Sequence, residues 1–157
     1  MEVEACPCLL YTSLRSEIAR ILGLTERKRM IQLGSGNLGR AIASNIDFGS
    51  CGFELMAIFD TNEFIVGSEI KEFPLLSLDK LETFCRQHRP TAAALCIPQE
   101  GAEELVPRLI ELGITSFLNF SHYDIAIHFP HTAVVDVNIA DSLMTLAYQA
   151  AALEEEF

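Results

Sequence analysis

The residues with the clearest chemical potential form one glycine-rich run, Gly34-Ser35-Gly36-Asn37-Leu38-Gly39. Its G-x-G-x-x-G spacing is typical of a dinucleotide-binding turn when a strand precedes it and a helix follows it. The first glycine permits the tight bend, the second lets a pyrophosphate approach the backbone, and the third lets the helix pack closely on the strand. The helix N-terminus offers free N–H groups and a partial positive charge to the phosphates.

Asp60 supplies the second half of the pattern, because it ends the next apolar run about 20 residues after the last glycine. An acidic residue at this point accepts hydrogen bonds from the ribose hydroxyl groups, which favours NAD over NADP. The glycine run and Asp60 together predict a binding site for NAD(H). The alternative is a bare structural turn.

The elements that position these residues are predicted from the apolar periodicity of the chain. Strands are predicted over residues 30–33, 53–60, 92–97, 116–119 and 133–137, and helices over 13–24, 37–46, 78–88, 100–112 and 139–155. Residues 1–8 are expected to be irregular, and residues 61–76 to form a loop with a short strand. Apolar strands alternating with helices indicate a parallel sheet covered on both faces. The predicted fold class is α/β, a Rossmann-type doubly wound and mainly parallel sheet.

Ligands of such sheets bind beyond the carboxyl ends of the strands, so the loops after the strands add further candidates. Pro98 is expected to border the adenosine side of the pocket, and Asn119 and Phe120 the nicotinamide side. The alternative for Phe120 is core packing. The complete set of predicted cofactor-binding residues is Gly34, Ser35, Gly36, Asn37, Leu38, Gly39, Asp60, Thr61, Pro98, Asn119 and Phe120.

Composition narrows the class of protein. The chain has 157 residues, enough for one ordinary domain, and a net charge of −11, which argues against a nucleic-acid surface. It has no apolar run long enough to span a bilayer and no basic leader, so we expect a cytoplasmic protein. The five cysteines fit reduced thiols, and neither Cys6-Pro7-Cys8 nor the histidines show ligand spacing, so no metal site and no catalytic residues are predicted.

Several short segments carry a family resemblance: Tyr11 with Ile21-Leu22-Gly23-Leu24, Asn37-Leu38-Gly39, Phe59-Asp60, Ile97-Pro98, Gly113-Ile114, Leu118-Asn119-Phe120 and Leu146-Ala147-Tyr148. Over about residues 11–148 the chain resembles the nucleotide-binding domain of the Rex family of redox-sensing transcriptional repressors. The resemblance implies NADH and NAD⁺ binding at the glycine run and Asp60. It also implies a homodimer in which the C-terminal helix exchanges between subunits.

This resemblance divides the chain into residues 1–28, a lead and connecting helix, residues 29–138, the dinucleotide-binding domain, and residues 139–157, a dimerisation helix. The last segment has an apolar stripe that must be buried, against the partner subunit or against its own domain. Its members are Ile139, Leu143, Leu146, Ala147, Ala150 and Leu153.

Two departures from the family pattern bear on DNA. Typical members carry a winged-helix domain before this region, whereas 33 residues precede Gly34 here, too few for such a domain. Typical members also have an Asp, which couples cofactor state to DNA binding, at the position that corresponds to Asn138. We therefore expect no direct DNA binding, and signalling through a protein partner or a full-length relative.

Two other functions remain as alternatives to a redox-sensing regulatory module. The CoA-binding domain of acyl-CoA ligases shares the predicted fold, and there an acid at position 60 is less diagnostic. A small NAD-dependent oxidoreductase is the other, with His122 and Tyr123 near the nicotinamide end. It is disfavoured because the nucleotide fold leaves no room for a substrate domain, so the chain is expected not to be an enzyme.

Overall fold

Seven strands and six α-helices make up the part of the chain that this computed structural model describes, residues 7–23 and 25–155. A short 3-10 helix, Leu78–Lys80, leads into the third α-helix. In chain order the elements are α1 (Pro7–Ile21), β1 (Lys28–Leu33), α2 (Asn37–Asn45), β2 (Phe53–Asp60), β3 (Glu69–Ile70), β4 (Phe73–Ser77), α3 (Leu81–His88), β5 (Ala92–Leu95), α4 (Gln99–Glu111), β6 (Ser116–Asn119), α5 (Ile125–His128), β7 (Ala133–Asp136) and α6 (Ile139–Glu155).

The strands form one sheet in the order β3-β4-β2-β1-β5-β6-β7. Every pairing is parallel except that of β3 with β4, which is antiparallel. The six parallel strands follow the doubly wound order, in which the chain moves outward from β1 and then crosses back to the other side of it. The predicted fold class is confirmed, and the point where the strand order reverses lies between β1 and β5.

Apolar side chains of β1 point alternately to the two faces of the sheet and enter two separate cores. Ile31 and Leu33 lie in a core covered by α3 and α4, whereas Met30 lies in a core covered by α2. The strands therefore read as nearly continuous apolar runs, since both faces of a parallel sheet are buried. This packing fixes β1 and α2, the two elements that hold the glycine run between them.

Helix α1 differs from the prediction at its start. It begins at Pro7 instead of Ser13, so residues 7–8, expected to be irregular, are helical, and Ser13 lies within the helix and does not cap it. Proline suits the first turn of a helix, because the N–H that it lacks has no intrahelical acceptor there. Residues 1–6 and Leu24, also part of the predictions, lie outside the described residues.

Two further elements were predicted incompletely. Residues 61–76 contain two strands rather than one, a short antiparallel pair that extends the sheet beyond β2. Helix α5, four residues long, was not predicted, because one turn gives no periodic signal. Its local signal is Asp124, whose carboxylate accepts a hydrogen bond from the Ile127 N–H at 3.4 Å as an N-cap.

Large apolar residues of helices α1 and α6 are exposed. Every side chain from Ile139 to Leu153 is exposed, and so are Tyr11 and Ile21 of α1. The apolar stripe predicted on α6 therefore is not buried against its own domain. Among the described residues, no helix combines the length and the apolar character needed to cross a membrane.

Candidate nucleotide-binding site

The turn between β1 and α2 requires glycine at its first position. Gly34 has a φ of +94°, and its N–H donates to the Phe59 carbonyl at 2.8 Å. A Cβ at this position would lie 2.2 Å from the backbone oxygen of Cys96, on the adjoining strand end. Both the backbone angle and the close approach exclude a larger residue.

The other two glycines of the run differ in what surrounds them. A Cβ at Gly39 would lie 2.3 Å from the Gly34 carbonyl oxygen, so the protein's own packing excludes a side chain. At Gly36, apart from its two chain neighbours, no described residue has an atom within 4 Å of the same position. The structure therefore explains the outer two glycines by internal packing, whereas the open backbone at Gly36 can admit a group that approaches from outside.

Gly36 is also the N-cap of α2, and as a glycine it has no side chain that could cap the N–H groups of this helix. The first N–H groups of any helix have no intrahelical acceptor. Here Asn37 and Leu38, the first two residues of the helix, are exposed. With the positive end of the helix dipole, this arrangement is suited to a phosphate or pyrophosphate.

Asp60 ends β2 directly beside the turn and bonds to it. Its Oδ2 accepts from the Ser35 N–H at 2.8 Å and from the Ser35 hydroxyl at 2.5 Å, and its Oδ1 accepts from the Asn62 N–H at 2.9 Å. Partial burial disfavours the charged carboxylate, but these hydrogen bonds outweigh it, so the pKa of Asp60 is lowered from its usual 3.8. Asp60 is thus ionised at neutral pH, and it presents its negative charge at the cavity described below.

Gln32 lies beneath the turn. Its side chain is fully buried, and its Nε2 donates to the carbonyls of Gly34 and Gly39, both at 2.9 Å. The two carbonyls belong to the first and last glycines of the run. One buried amide therefore joins the end of β1 to the first turn of α2.

A cavity of about 260 Å³ opens at this edge of the sheet, at the point where the strand order reverses. Of the predicted residues it is lined by Gly34, Ser35, Gly36, Asp60, Thr61 and Pro98. Residues that the sequence did not single out complete the wall: Leu33, Phe59, Leu78, Cys96, Ile97 and Leu105. Burial raises the pKa of the Cys96 thiol to about 12, so it is a neutral part of this wall. The wall therefore combines the polar glycine turn and Asp60 with apolar side chains.

Asn119 and Phe120 do not line this cavity. The Asn119 amide is buried, and its nitrogen donates to the Tyr123 carbonyl at 2.8 Å and to an Asp136 oxygen at 2.6 Å. Its oxygen accepts from the Ser121 N–H and hydroxyl at 3.1 and 2.6 Å. These four bonds use the donors and acceptors of the amide, and Phe120 packs against the core on the α2 face. Both residues hold the loop after β6 in place.

Buried polar side chains lie at the edge of the sheet where the parallel strands end. Among the described residues the uncharged ones are Gln32, Ser35, Asn119 and Ser121, and all four lie at or just after the carboxyl end of a strand. A buried polar group is costly unless it is bonded, so such a group inside an apolar strand is a readable signal. Gln32, a polar residue between the apolar Ile31 and Leu33, shows this signal, although it is not among the predicted site residues.

A larger groove of about 640 Å³ lies at the opposite edge, where β2 and β4 begin. Its wall mixes apolar residues such as Phe48 and Phe73 with the charged Arg27, Lys71 and Glu72. Ligands of doubly wound sheets bind at the carboxyl ends of the strands, so we assign the site to the smaller cavity despite its size. No cluster of three or more His, Cys, Asp or Glu able to hold a metal occurs among residues 7–23 and 25–155.

Residues 25–123 match the family model described as "CoA binding domain". The chain is 40% identical over 137 residues to the "Redox-sensing transcriptional repressor Rex" of Clostridioides difficile (strain 630), covering 87% of this chain and 64% of that protein. It therefore spans somewhat less than two thirds of the length of this curated relative.

Solved structures are similar over nearly the whole chain. The "Crystal structure of RSP in complex with beta-NADH" matches with a TM-score of 0.82 and 31% identity, covering 91% of this chain and 69% of that one. The "Crystal structure of RSP in complex with beta-NAD+ and operator DNA" matches with a TM-score of 0.81 and 31% identity, covering 91% and 65%. A third structure of the same protein is titled "RSP, a Rex-family repressor" and has a TM-score of 0.82.

Proposed function

The chain belongs to the Rex family of redox-sensing transcriptional repressors, and we propose that it is an NAD(H)-binding regulatory module of that family. One observation carries the proposal: the open backbone of Gly36 at the N-terminus of α2 lies beside an ionised Asp60. This pairing offers an anion site and a ribose acceptor at one strand edge. The similar structures of RSP in complex with NADH and with NAD⁺ support the same cofactor.

In this proposal each predicted residue has a stated part. The backbone of residues 34–39 binds the pyrophosphate, and Asp60 with Thr61 binds the adenosine ribose. Pro98 borders the apolar wall of the cavity. Asn119 and Phe120 act on the nicotinamide side by holding the loop after β6, since the Asn119 amide is already fully bonded within the protein.

CoA is the second candidate, because residues 25–123 match a family described as a CoA binding domain. The charge of Asp60 distinguishes the two ligands. The ribose of CoA carries a 3′-phosphate and that of NADP a 2′-phosphate, and a carboxylate beside either one is repelled. NAD(H) presents two free hydroxyl donors there, so the ionised Asp60 favours NAD(H).

Parallel calorimetric titrations with NADH, NAD⁺, NADPH and CoA test the proposal. We expect NADH or NAD⁺ to bind at least tenfold more tightly than NADPH and CoA. Asp60→Asn is expected to reduce this difference in affinity, because it removes the charge of the side chain and keeps its shape. Asp79→Asn, on the exposed turn before α3, is the control and is expected to leave the difference in affinity unchanged. Tight CoA binding without an NADH signal would overturn the proposal in favour of the CoA class.

We also propose that α6 pairs two copies of the chain, with the domain division given by residues 1–28, 29–138 and 139–157. The support is the exposure of every side chain from Ile139 to Leu153, which includes six large apolar residues. An apolar helix of this kind is buried against a partner in a stable protein. The large apolar residues are Ile139, Leu143, Met144, Leu146, Tyr148 and Leu153.

Signalling then passes through a protein partner or a full-length relative, without direct DNA binding by this chain. The net charge of −11 supports this part of the proposal, because DNA affinity depends on neutralising phosphates with Lys and Arg. Fluorescence anisotropy with labelled duplex DNA at low salt tests it. Salt-sensitive binding at micromolar protein concentration would refute it.

A regulatory role without catalysis fits the names of the similar proteins, which are repressors. The thiols of Cys85 and Cys96 support the absence of a catalytic role as well. Burial raises the pKa of Cys96 to about 12 and that of Cys85 to about 11, so neither is a nucleophile at neutral pH. NADH incubated with the protein is expected to keep its absorbance at 340 nm over hours.

A further inference from the structure

We propose that Gln32 is a positioning residue of the nucleotide site, which holds the phosphate-binding turn in its binding conformation from beneath. This inference rests on the proposed function, since it assumes that the turn binds a dinucleotide pyrophosphate. It concerns a residue that the glycine motif does not include. It explains why an amide side chain lies inside an otherwise apolar layer.

The geometry links the two ends of the turn through a single atom. Nε2 of Gln32 donates to the Gly34 carbonyl and to the Gly39 carbonyl, each at 2.9 Å. Gly39 lies in the first turn of α2, whose N–H groups are the proposed phosphate donors. Any movement of this helix turn away from β1 must break one of the two bonds. The amide therefore fixes the distance between the strand end and the phosphate donors before a nucleotide binds.

The surroundings of Gln32 argue against a role in general stability. Its side chain is fully buried, and its neighbours on the adjacent strands, Ile58 and Ala94, are apolar and belong to the same core. Its Oε1 accepts no hydrogen bond from any residue that the structure describes. An unpaired buried acceptor destabilises a fold. In Gln32 the unpaired Oε1 destabilises the fold, whereas Nε2 makes two hydrogen bonds to the turn. This combination suits a residue that holds the turn, and an apolar residue would suit general core packing better.

Gln32→Met tests the proposal, because methionine has nearly the same length and volume and lacks only the polar atoms. We expect a loss of NADH affinity on the order of tenfold, since two hydrogen bonds that pre-form the site are removed. We also expect faster hydrogen–deuterium exchange of the amides of residues 37–39 in the absence of nucleotide. Asn45→Met is the matched control, because it removes an amide bond to the Ala41 carbonyl at the far, exposed end of the same helix.

The pH dependence of NADH binding by Gln32→Glu gives a second test, because a purely structural role of Gln32 does not predict any pH dependence of the affinity. A buried Glu has a raised pKa, and its protonated form regains one O–H donor toward the two carbonyls. The NADH affinity of this variant is therefore expected to rise as pH falls from 8 to 5.5, while that of Gln32→Met stays flat. Asp60 remains ionised throughout that range, because its pKa is lowered.

The outcomes separate the two proposals. If the natural protein does not bind NADH, the proposed function fails. If it binds NADH, and Gln32→Met binds equally tightly with unchanged exchange at residues 37–39, only the positioning role is refuted. If Gln32→Met is too unstable to titrate, the pH profile of Gln32→Glu decides, and a flat profile for that variant counts against the role.

Discussion

Two glycine substitutions separate packing from binding within one turn. Gly39→Ala places a Cβ 2.3 Å from the Gly34 carbonyl oxygen, a backbone atom that cannot move aside cheaply. Overpacking of this kind costs about 1–3 kcal/mol. For a domain of this size each kcal/mol lowers Tm by about 2–4 °C, so we expect a fall of roughly 2–12 °C.

Gly36→Ala is expected to leave the free protein nearly unchanged. Apart from its two chain neighbours, no described residue has an atom within 4 Å of its added Cβ, and its φ of −65° suits alanine. The loss of unfolded-state freedom stabilises by about 0.4–1 kcal/mol, whereas alanine is a poorer N-cap than glycine by roughly 1 kcal/mol. The two effects nearly cancel, which keeps Tm within about 4 °C of the natural protein.

Gly36→Ala is expected to weaken nucleotide binding, although it leaves the stability of the free protein nearly unchanged. The new methyl of Gly36→Ala lies where the pyrophosphate would approach, so at least one charge-assisted hydrogen bond is lost. Such a bond contributes about 1.5–3 kcal/mol, which corresponds to roughly a 12- to 150-fold weaker Kd. Gly36→Ala should therefore combine normal stability with poor binding.

Thermal unfolding without nucleotide and calorimetric titration with NADH measure both properties on the three proteins. Gly36→Ala binding NADH as tightly as the natural protein would refute the approach of the pyrophosphate to this backbone. A Gly39→Ala protein with unchanged Tm would refute the packing argument. The two halves of the reasoning can fail independently.

Three further predictions follow from charge, exposure and burial. Because the pKa of Asp60 in the folded protein is lowered below 3.8, its hydrogen bonds stabilise the protein fully above about pH 5, and this stabilisation is lost as the pH falls through 3.8 and below. We therefore expect the NADH affinity to be constant from pH 5 to 8. A decline of the affinity centred near pH 6 would contradict this expectation. Leu146→Asp on α6 is expected to convert a dimer into a monomer in sedimentation equilibrium while Gln149→Asp does not, and a dimer in both would count against the helix as the interface. In the folded protein at pH 8, mass spectrometry after brief alkylation should find Cys85 and Cys96 unmodified, since burial raises their pKa values to about 11 and 12, and rapid labelling of either would show that this burial is incomplete.

How far the sequence could predict the site depends on how local each interaction is. The glycine run and its flanking strand and helix lie within about 20 residues of one another, and their spacing alone describes the turn. Asp60 was predicted as a ribose acceptor, and the structure adds its bonds to Ser35, which no spacing rule includes. The apolar wall from Leu78, Ile97 and Leu105 was not predicted, because ordinary core residues look the same in sequence.

Asn119 illustrates the opposite case. A polar residue at the end of an apolar strand resembles a ligand-binding residue, and the sequence analysis placed it in the site. Its hydrogen-bond partners are the Tyr123 carbonyl and Asp136 on the neighbouring strand. The contact with Asp136 cannot be predicted without the pairing of β6 with β7. The bounds of the five predicted strands agree with the structure to within two residues, whereas α1 begins six residues earlier than predicted and the single-turn α5 was not predicted.

The central position of β1 has a consequence for the order of folding. Its pairing with β2 joins segments close in sequence, whereas its pairing with β5 closes a loop of some 60 residues and is expected to form later. Gly34 is enclosed by Cys96, the residue that follows β5, and the Cys96 N–H donates to the Leu33 carbonyl at 2.8 Å. The cavity beside the glycine turn is therefore complete only after the second half of the chain has docked. A nucleotide that needs this cavity binds the finished fold and not its precursors, so it shifts the folding equilibrium toward the native state without guiding the early steps.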